Sequence, residues 1–156
     1  MSYEEWKRKF VDGEKLKGLN EAEKVSGAVN GALNSESDRA IEHAERYYDS
    51  VRKMKADTNR IAKNTGIKLE HIVQVKNHLF MKSHDLGVNG YRRFYADYDI
   101  AQSWQRLIEG KDIMPQDIVL LKHEYCESRY MEKGLSQKEA HDKANRRYDY
   151  SKAVRK

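Results

Sequence analysis

His123 and Glu124 are adjacent, and Glu127 follows three residues later. On an α-helix, residues four apart share a face and residues three apart nearly do, so these three side chains would lie together. Leu120, Leu121 and Tyr125 on the same turns are expected to face a core, which sets at least one carboxylate against the interior. A carboxylate there must be paired, hydrogen-bonded, metal-bound or raised in pKa, and each state suits general acid–base chemistry. The run His-Glu-x-x-Glu differs at one position from the His-Glu-x-x-His pattern of zinc metalloproteases. With Glu127 in the second histidine's place, a metal would be held by His123, Glu127 and a ligand from elsewhere such as His141. The same residues can also be read as a solvated face pairing with Lys122 or Arg129.

A second pair, His78 and His84, is six residues apart, so the chain must turn between them before the rings can meet. His84-Asp85 has the look of the His-Asp doublet of HD-type phosphohydrolases, without that signature's other ligands at their usual spacing. Arg92 and Arg93 stand among Tyr91, Phe94 and Tyr95, a grouping that could hold phosphate while a ring stacks on a base. The alternative is a loop anchored by Phe94, with Arg93 paired to an acid. Cys126 has no activating partner at fixed spacing and is read as a small buried hydrophobe. The candidate catalytic set is therefore His78, His84, His123, Glu124, Glu127 and His141, with Arg92 and Arg93 as anion binders.

These residues need helices to position them. With one proline and nine glycines in 156 residues, long helices are permitted. A short amphipathic helix is expected over Tyr3 to Val11, then a weakly ordered, glycine- and asparagine-rich linker to Asn34. Ser35 would cap one long helix to about Asn64, with Ile41, Ala44, Tyr48, Val51, Thr58 and Ala62 as a coiled-coil-like seam and Gly66 as its stop. That seam makes self-association through 35–64 an expectation. A second helix, Lys68 to about Lys82, should bury Leu69, Ile72, Val73, Leu79 and Phe80. A loop follows over His84 to Tyr95. Asp97 or Asp99 caps a helix through Ile108, closed by Gly110 and carrying Trp104 and Leu107 to the core. Pro115 opens a helix to Lys133, closed by Gly134, and Ser136 to Glu139 forms a capping box for a last helix to about Tyr148. Ala140, Ala144 and Tyr148 should face inward. The expected fold is an all-α, irregular bundle of about five to six helices spanning 35–150, followed by a basic tail, 151–156.

Charged residues are 35% of the chain and hydrophobic ones 38%, so the core is modest and the surface heavily charged. No apolar run approaches the length of a membrane span, and no leader of charged-then-apolar type opens the chain, so neither a membrane span nor a secretory signal is expected. A single cysteine fits a reducing compartment and a cytoplasmic working site, or a virion-associated domain delivered into a cell. The net charge of +5 is carried by the six basic residues between Lys143 and Lys156 less Asp149. Such a tail can contact nucleic acid through phosphate, or remain solvated.

Lys76-Asn77-His78-Leu79-Phe80, His84-Asp85-Leu86, Arg93-Phe94, Ile100-Ala101-x-x-Trp104-x-Arg106-Leu107, Leu120-Leu121-Lys122-His123-Glu124-x-x-Glu127 and Glu139-Ala140-His141 form one pattern over Ile61 to Tyr150. It resembles a C-terminal domain carried by some phage minor head (head-morphogenesis) proteins and by bacterial polymorphic toxins. The segment Tyr3 to Val11 also looks like what precedes such domains. The resemblance implies an effector, often a nuclease or other hydrolase, with a cognate inhibitor or a phage head protein as partner. Unlike the delivered format, this chain starts at its own Met1, as expected of a stand-alone relative or an excised domain. The reading that follows is a His/Glu-dependent hydrolase acting on nucleic acid, using a divalent metal if one is bound. The alternative is a non-catalytic assembly or partner-binding module with a buried His/Glu/Arg network.

Overall fold

The computed structural model describes residue 34 and residues 36–155. The expected Tyr3-to-Val11 helix, the linker as far as residue 33 and the Ser35 cap lie outside the described residues. Seven α-helices are described: α1 (Asp38–Lys53), α2 (Asp57–Thr65), α3 (Leu69–Lys76), α4 (Tyr98–Glu109), α5 (Pro115–Glu132), α6 (Gln137–Arg147) and α7 (Tyr150–Val154). Two two-residue strands, β1 (His84–Asp85) and β2 (Tyr91–Arg92), pair antiparallel with His84 opposite Arg92. The fold is an all-α, irregular bundle, and no described helix is long and apolar enough to cross a membrane.

The single long helix expected to Asn64 is two helices. Ser37 caps α1, its side chain accepting from the Ala40 N–H, and the chain turns extended at Met54. Neither glycine nor proline causes this break. Lys76 Nζ donates at 2.9 Å to both the Met54 carbonyl and Asp57 Oδ1. Asp57 also accepts from the Thr58 N–H at 2.9 Å and from Trp104 Nε1 at 3.2 Å. A buried carboxylate must keep such donors, and reaching them takes the chain off the helical path. The seam is therefore not a coiled-coil face. Ala44, Tyr47, Tyr48, Val51 and Ile61 are buried within this chain, while Ile41 is largely exposed.

The second predicted helix needs a similar correction. Its inward face is Ile72, Val75, Lys76 and Leu79, and Leu69 and Val73 are exposed on its flank. After Lys76 it widens into a π-helical turn, 77–81, with the Lys82 N–H bonded to the Asn77 carbonyl at 2.8 Å. That extra residue lets His78, Leu79 and Phe80 all be buried, where a regular helix would fan three consecutive side chains over about 200°. Arg52 Nε donates to the Phe80 carbonyl at 2.7 Å and ties the turn to α1.

The remaining boundaries follow the local signals. Asp97 caps α4, and Gly110 ends it at φ 76°, where Asn64 Nδ2 donates to the Leu107 and Ile108 carbonyls at 2.9 and 3.0 Å. A Cβ on Gly110 would stand 2.8 Å from the Asn64 side chain, so this end requires glycine. Pro115 opens α5, and Asp117 secures that start by accepting from the Met114 N–H at 2.8 Å and from Arg106 at 2.8 and 2.9 Å. Ser136 and Glu139 form the reciprocal box that starts α6. The first part of the basic tail is helical, as α7, with Tyr150 Oη 2.8 Å from Ser103 Oγ. Trp104, Phe80, Leu107, Leu120, Leu121 and Ile72 centre the core.

Candidate functional site: a carboxylate among three imidazoles

α5 carries two buried stripes. Leu120 and Leu121 enter the apolar core, and His123, Glu124 and Glu127 form a polar stripe beside it. The solvated-face reading, with pairing to Lys122 or Arg129, is therefore corrected. Arg129 instead pairs with Glu132 at 3.2 Å, on the surface.

The wide turn after α3 brings His78 against this stripe, and α6 brings Gln137 and His141, four apart on one face. Glu127 sits at the convergence with 2% of its side chain exposed. Its Oε1 lies 3.0 Å from His141 Nδ1 and 3.2 Å from His123 Nε2. Its Oε2 lies 2.8 Å from His78 Nε2 and accepts from Gln137 Nε2 at 3.3 Å. His123 Nε2 and His141 Nδ1 are themselves 3.2 Å apart. Glu124 Oε1 is 3.6 Å from His78 Nε2. The predicted residues His78, His123, Glu124, Glu127 and His141 are thus brought together.

Burial works against ionising Glu127, yet the contacts with His123, His141 and His78 hold its carboxyl well below the usual range. Burial, and then the charges of Glu127 and Asp97, push Glu124 well above that range. Two carboxyls one helical turn apart are thereby driven in opposite directions. The hydrogen bond to Glu127 raises the pKa of His141, against its partial burial. His141 is 45% exposed and is the open edge of the cluster.

Proton positions follow from the acceptors. His123 Nδ1 lies 2.8 Å from the Tyr148 carbonyl, which only accepts, so Nδ1 carries a proton. Neutral His123 then presents a lone pair at Nε2 to Glu127 and His141. The three atoms His123 Nε2, His141 Nδ1 and Glu127 Oε1 form a triangle of 3.0, 3.2 and 3.2 Å edges. If only His141 Nδ1 is protonated, the His123–Glu127 edge sets a lone pair against a carboxylate. If both imidazoles are protonated there, the His123–His141 edge sets two N–H groups against each other. With Glu127 ionised, no proton assignment makes all three edges hydrogen bonds, whereas a cation at the centre would be shared by all three atoms. Cation–ligand bonds of about 2.0–2.2 Å put neighbouring ligands about 2.8–3.6 Å apart, which brackets this triangle.

His84 has another role. Its Nε2 donates at 2.8 Å to the His78 carbonyl, and burial, foremost, lowers its pKa. Phe94 packs at 4.7 Å on His84 and 5.3 Å on His78. His84 thus steadies the turn that carries His78. Asp85 is exposed and accepts from the Gly87 N–H at 3.0 Å, so His84-Asp85 is a hairpin turn rather than a metal doublet.

Arg92 and Arg93 are exposed; Arg92 stacks on Tyr95 at 3.6 Å and donates to the Arg93 carbonyl. Arg93 adjoins Phe94 in the chain, and its charge acts on Arg52. Cys126 is half-buried and lines a cleft of about 340 Å³ with Tyr125, Tyr130 and Tyr148 and, at its edge, Lys122 and Arg147.

Gln137 and the Tyr148 carbonyl complete the cluster without having been singled out from the sequence. Gln137 was findable, because the Ser136 capping box fixes where α6 begins and so puts Gln137 on the His141 face. The Tyr148 carbonyl belongs to the backbone, and no residue type announces it. No protein-family model, curated protein or solved structure matches the chain.

Proposed function

We propose that the chain is a divalent-cation-dependent hydrolase acting on phosphodiesters of nucleic acid, with Glu127 at its centre. It would be an effector of the kind expected from the resemblance to phage head-protein and polymorphic-toxin domains. The observation that carries this reading is the triangle of His123 Nε2, His141 Nδ1 and Glu127 Oε1, whose edges of 3.0–3.2 Å no distribution of protons makes into three hydrogen bonds while Glu127 is ionised. Two imidazoles and a carboxylate are the ligands that zinc, manganese and related ions take. Such an ion supplies Lewis acidity and a nucleophilic water near neutral pH.

The chain's own groups do the rest. The Tyr148 carbonyl keeps the proton on His123 Nδ1 and leaves Nε2 free to bind. The exposed edge at His141 admits substrate, while the buried His78 side excludes bulk water. Arg93, on the loop that Phe94 pins to His78 and His84, supplies positive charge for a phosphate. Tyrosines interleaved with Lys122 and Arg147 along the Cys126 cleft suit bases stacking beside a phosphate backbone.

The second reading, a non-catalytic helical module, is favoured by one observation: the Glu127 contacts join α3's wide turn, α5 and α6 and could serve cohesion alone. Two measurements separate them. The protein should cleave single-stranded DNA or RNA with Mn²⁺ or Zn²⁺, lose that activity to a chelator, and lose it in the folded His123→Gln/Glu127→Gln double variant. Its melting temperature should rise with the cation. A double variant with full activity sinks the hydrolase reading at this site. A melt indifferent to every divalent ion leaves the cohesive module.

A further inference from the structure

The two oxygens of Glu127 face different partners. Oε1 serves His123 and His141, while Oε2 points the other way, to His78 at 2.8 Å. We propose that the cluster holds two divalent cations bridged by the Glu127 carboxylate, the second lying between His78 Nε2, Glu124 Oε1 and Glu127 Oε2. This rests on the cation-dependent reading above and adds a second ion to it.

Glu124 carries the argument. Its side chain is 10% exposed, and it sits one helical turn from Glu127. It hydrogen-bonds to none of the described residues, and its closest nitrogen, His78 Nε2, is 3.6 Å away. A carboxyl this far buried, with one distant imidazole nitrogen beside it, has ligand capacity to spare. Its counterpart Glu127 has four polar groups in reach, so the poverty at Glu124 is local to this side of the cluster. Glu124 and His78 approach one another beside Glu127 Oε2, and a cation between them would take all three as ligands. The three ligand atoms lie within 4.8 Å of one another, which allows a single ion to reach all of them. Its partners are held too: the His78 backbone is anchored by His84, and Phe94 packs on both rings.

The two ligand sets differ in kind. The first has two nitrogens and one oxygen, which suits Zn²⁺. The second has one nitrogen and two oxygens and suits a harder ion such as Mn²⁺. Bridged ions about 3.5–4 Å apart form the arrangement that stabilises both the entering and the leaving oxygen of an in-line displacement. That arrangement suits the phosphodiester cleavage proposed above. Water's oxygen bonds to phosphorus, and the phosphorus–oxygen ester bond breaks. Water's proton passes to solvent, and the departing alkoxide takes a proton from solvent.

The test is cation stoichiometry on the full chain, by calorimetric titration with Mn²⁺ and by elemental analysis after dialysis. It is repeated with His78→Gln and His141→Gln, and paired with electron paramagnetic resonance of the Mn²⁺-loaded unaltered protein. The expected result is two ions per chain, a spin-coupled pair in the resonance spectrum, and one ion in either variant. One ion that survives His78→Gln but not His141→Gln overturns the second centre and leaves the hydrolase reading standing. One ion lost only in His78→Gln overturns the bridged pair and removes the ion assigned to His123 and His141. No ion overturns both. Two ions with the spectrum of isolated Mn²⁺ overturn the bridge. Because the spectrum is taken on the unaltered chain, a variant that fails to fold leaves the proposal open to refutation.

Discussion

Of the buried carboxylates in this bundle, Asp57 and Glu127 are satisfied in opposite ways. Asp57 has a dedicated donor for each contact: Lys76 Nζ and the Thr58 N–H on Oδ1, and the Trp104 indole N–H on Oδ2. None of those donors competes with another for a proton. Glu127 is ringed by three imidazoles and an amide, and its closest triangle lacks a consistent set of protons. Asp57 is a finished hydrogen-bond network that bends a helix and fixes the core. Glu127 gathers groups of the type a cation takes as ligands, three of them within 3.2 Å of one another. Burial of a charge alone does not distinguish structure from function; whether one set of protons serves every contact does.

The comparison breaks most sharply at Asp57. Replacing Asp57 with Ala leaves Lys76 charged, 11% exposed and without its carboxylate. Removing one partner of a buried pair should lower stability by about 3–5 kcal/mol. Denaturant melts would read this, and the loss should be the same with and without Mn²⁺. A loss below about 1 kcal/mol would mean that Asp57 is not the finished network described.

Glu127→Gln should do less to the metal-free fold and more to the ion. The amide keeps volume and some hydrogen bonds, so the metal-free protein should lose about 1–3 kcal/mol. The cation-induced rise in melting temperature should vanish. If the rise persists in Glu127→Gln, the carboxylate is not a ligand and the contrast with Asp57 collapses.

Which of these two regions could be read in advance follows from how far apart their parts lie in the chain. Asp97, Gly110, Pro115, Gly134 and the Ser136 box act within a few residues of themselves, and the helix ends fall where those residues put them. The break between α1 and α2 depends on Asp57 meeting Lys76 and Trp104, 19 and 47 positions away, and no local residue announces it. His123, Glu124 and Glu127 are one helical stripe, legible from spacing. Their meeting with His78 and His141 crosses three helices, and only packing decides it. Leu69 and Val73 were misassigned because an apolar residue on a helix flank looks like one on its inner face when the phase is not known.

pH sharpens the comparison further, because the metal-free cluster and the loaded one should respond in opposite directions. His141 has its pKa raised above its ordinary 6.5 by Glu127, with Asp142 and Asp149 also acting on it. Stability from a raised group is complete below the unfolded pKa and is lost as pH rises through the folded one. Glu127 is depressed below its ordinary 4.5, so its contribution is complete above that value and is lost as pH falls. The metal-free contribution of this pair is therefore full between 4.5 and 6.5 and declines above 6.5. Cation binding requires the imidazoles to be unprotonated at their ligating atoms, so the cation-induced shift should grow over the same rise. Thermal melts from about pH 5.5 to about pH 8.5 with and without Zn²⁺ should show the two trends diverging, across the range where histidine titrates. Parallel trends would mean that the imidazoles serve only as hydrogen-bond donors to Glu127.

The smallest effect belongs to the residue whose sequence context looks most like a metal motif. Asp85 follows His84 as in a His-Asp doublet, yet its Oδ1 is used on the Gly87 N–H of its own hairpin turn, and its side chain is exposed. Asp85→Ala should therefore lower stability by no more than about 1 kcal/mol, as for loss of a local capping bond. It should leave the cation-induced shift and the stoichiometry unchanged, because no ligand atom of either set touches Asp85. His84 explains why the doublet fails as a motif: its Nε2 proton is given to the His78 carbonyl, so it braces the wide turn and is not free to bind. Should Asp85→Ala reduce the number of bound ions, the site would extend to the hairpin, and the boundary drawn at His78 would be wrong.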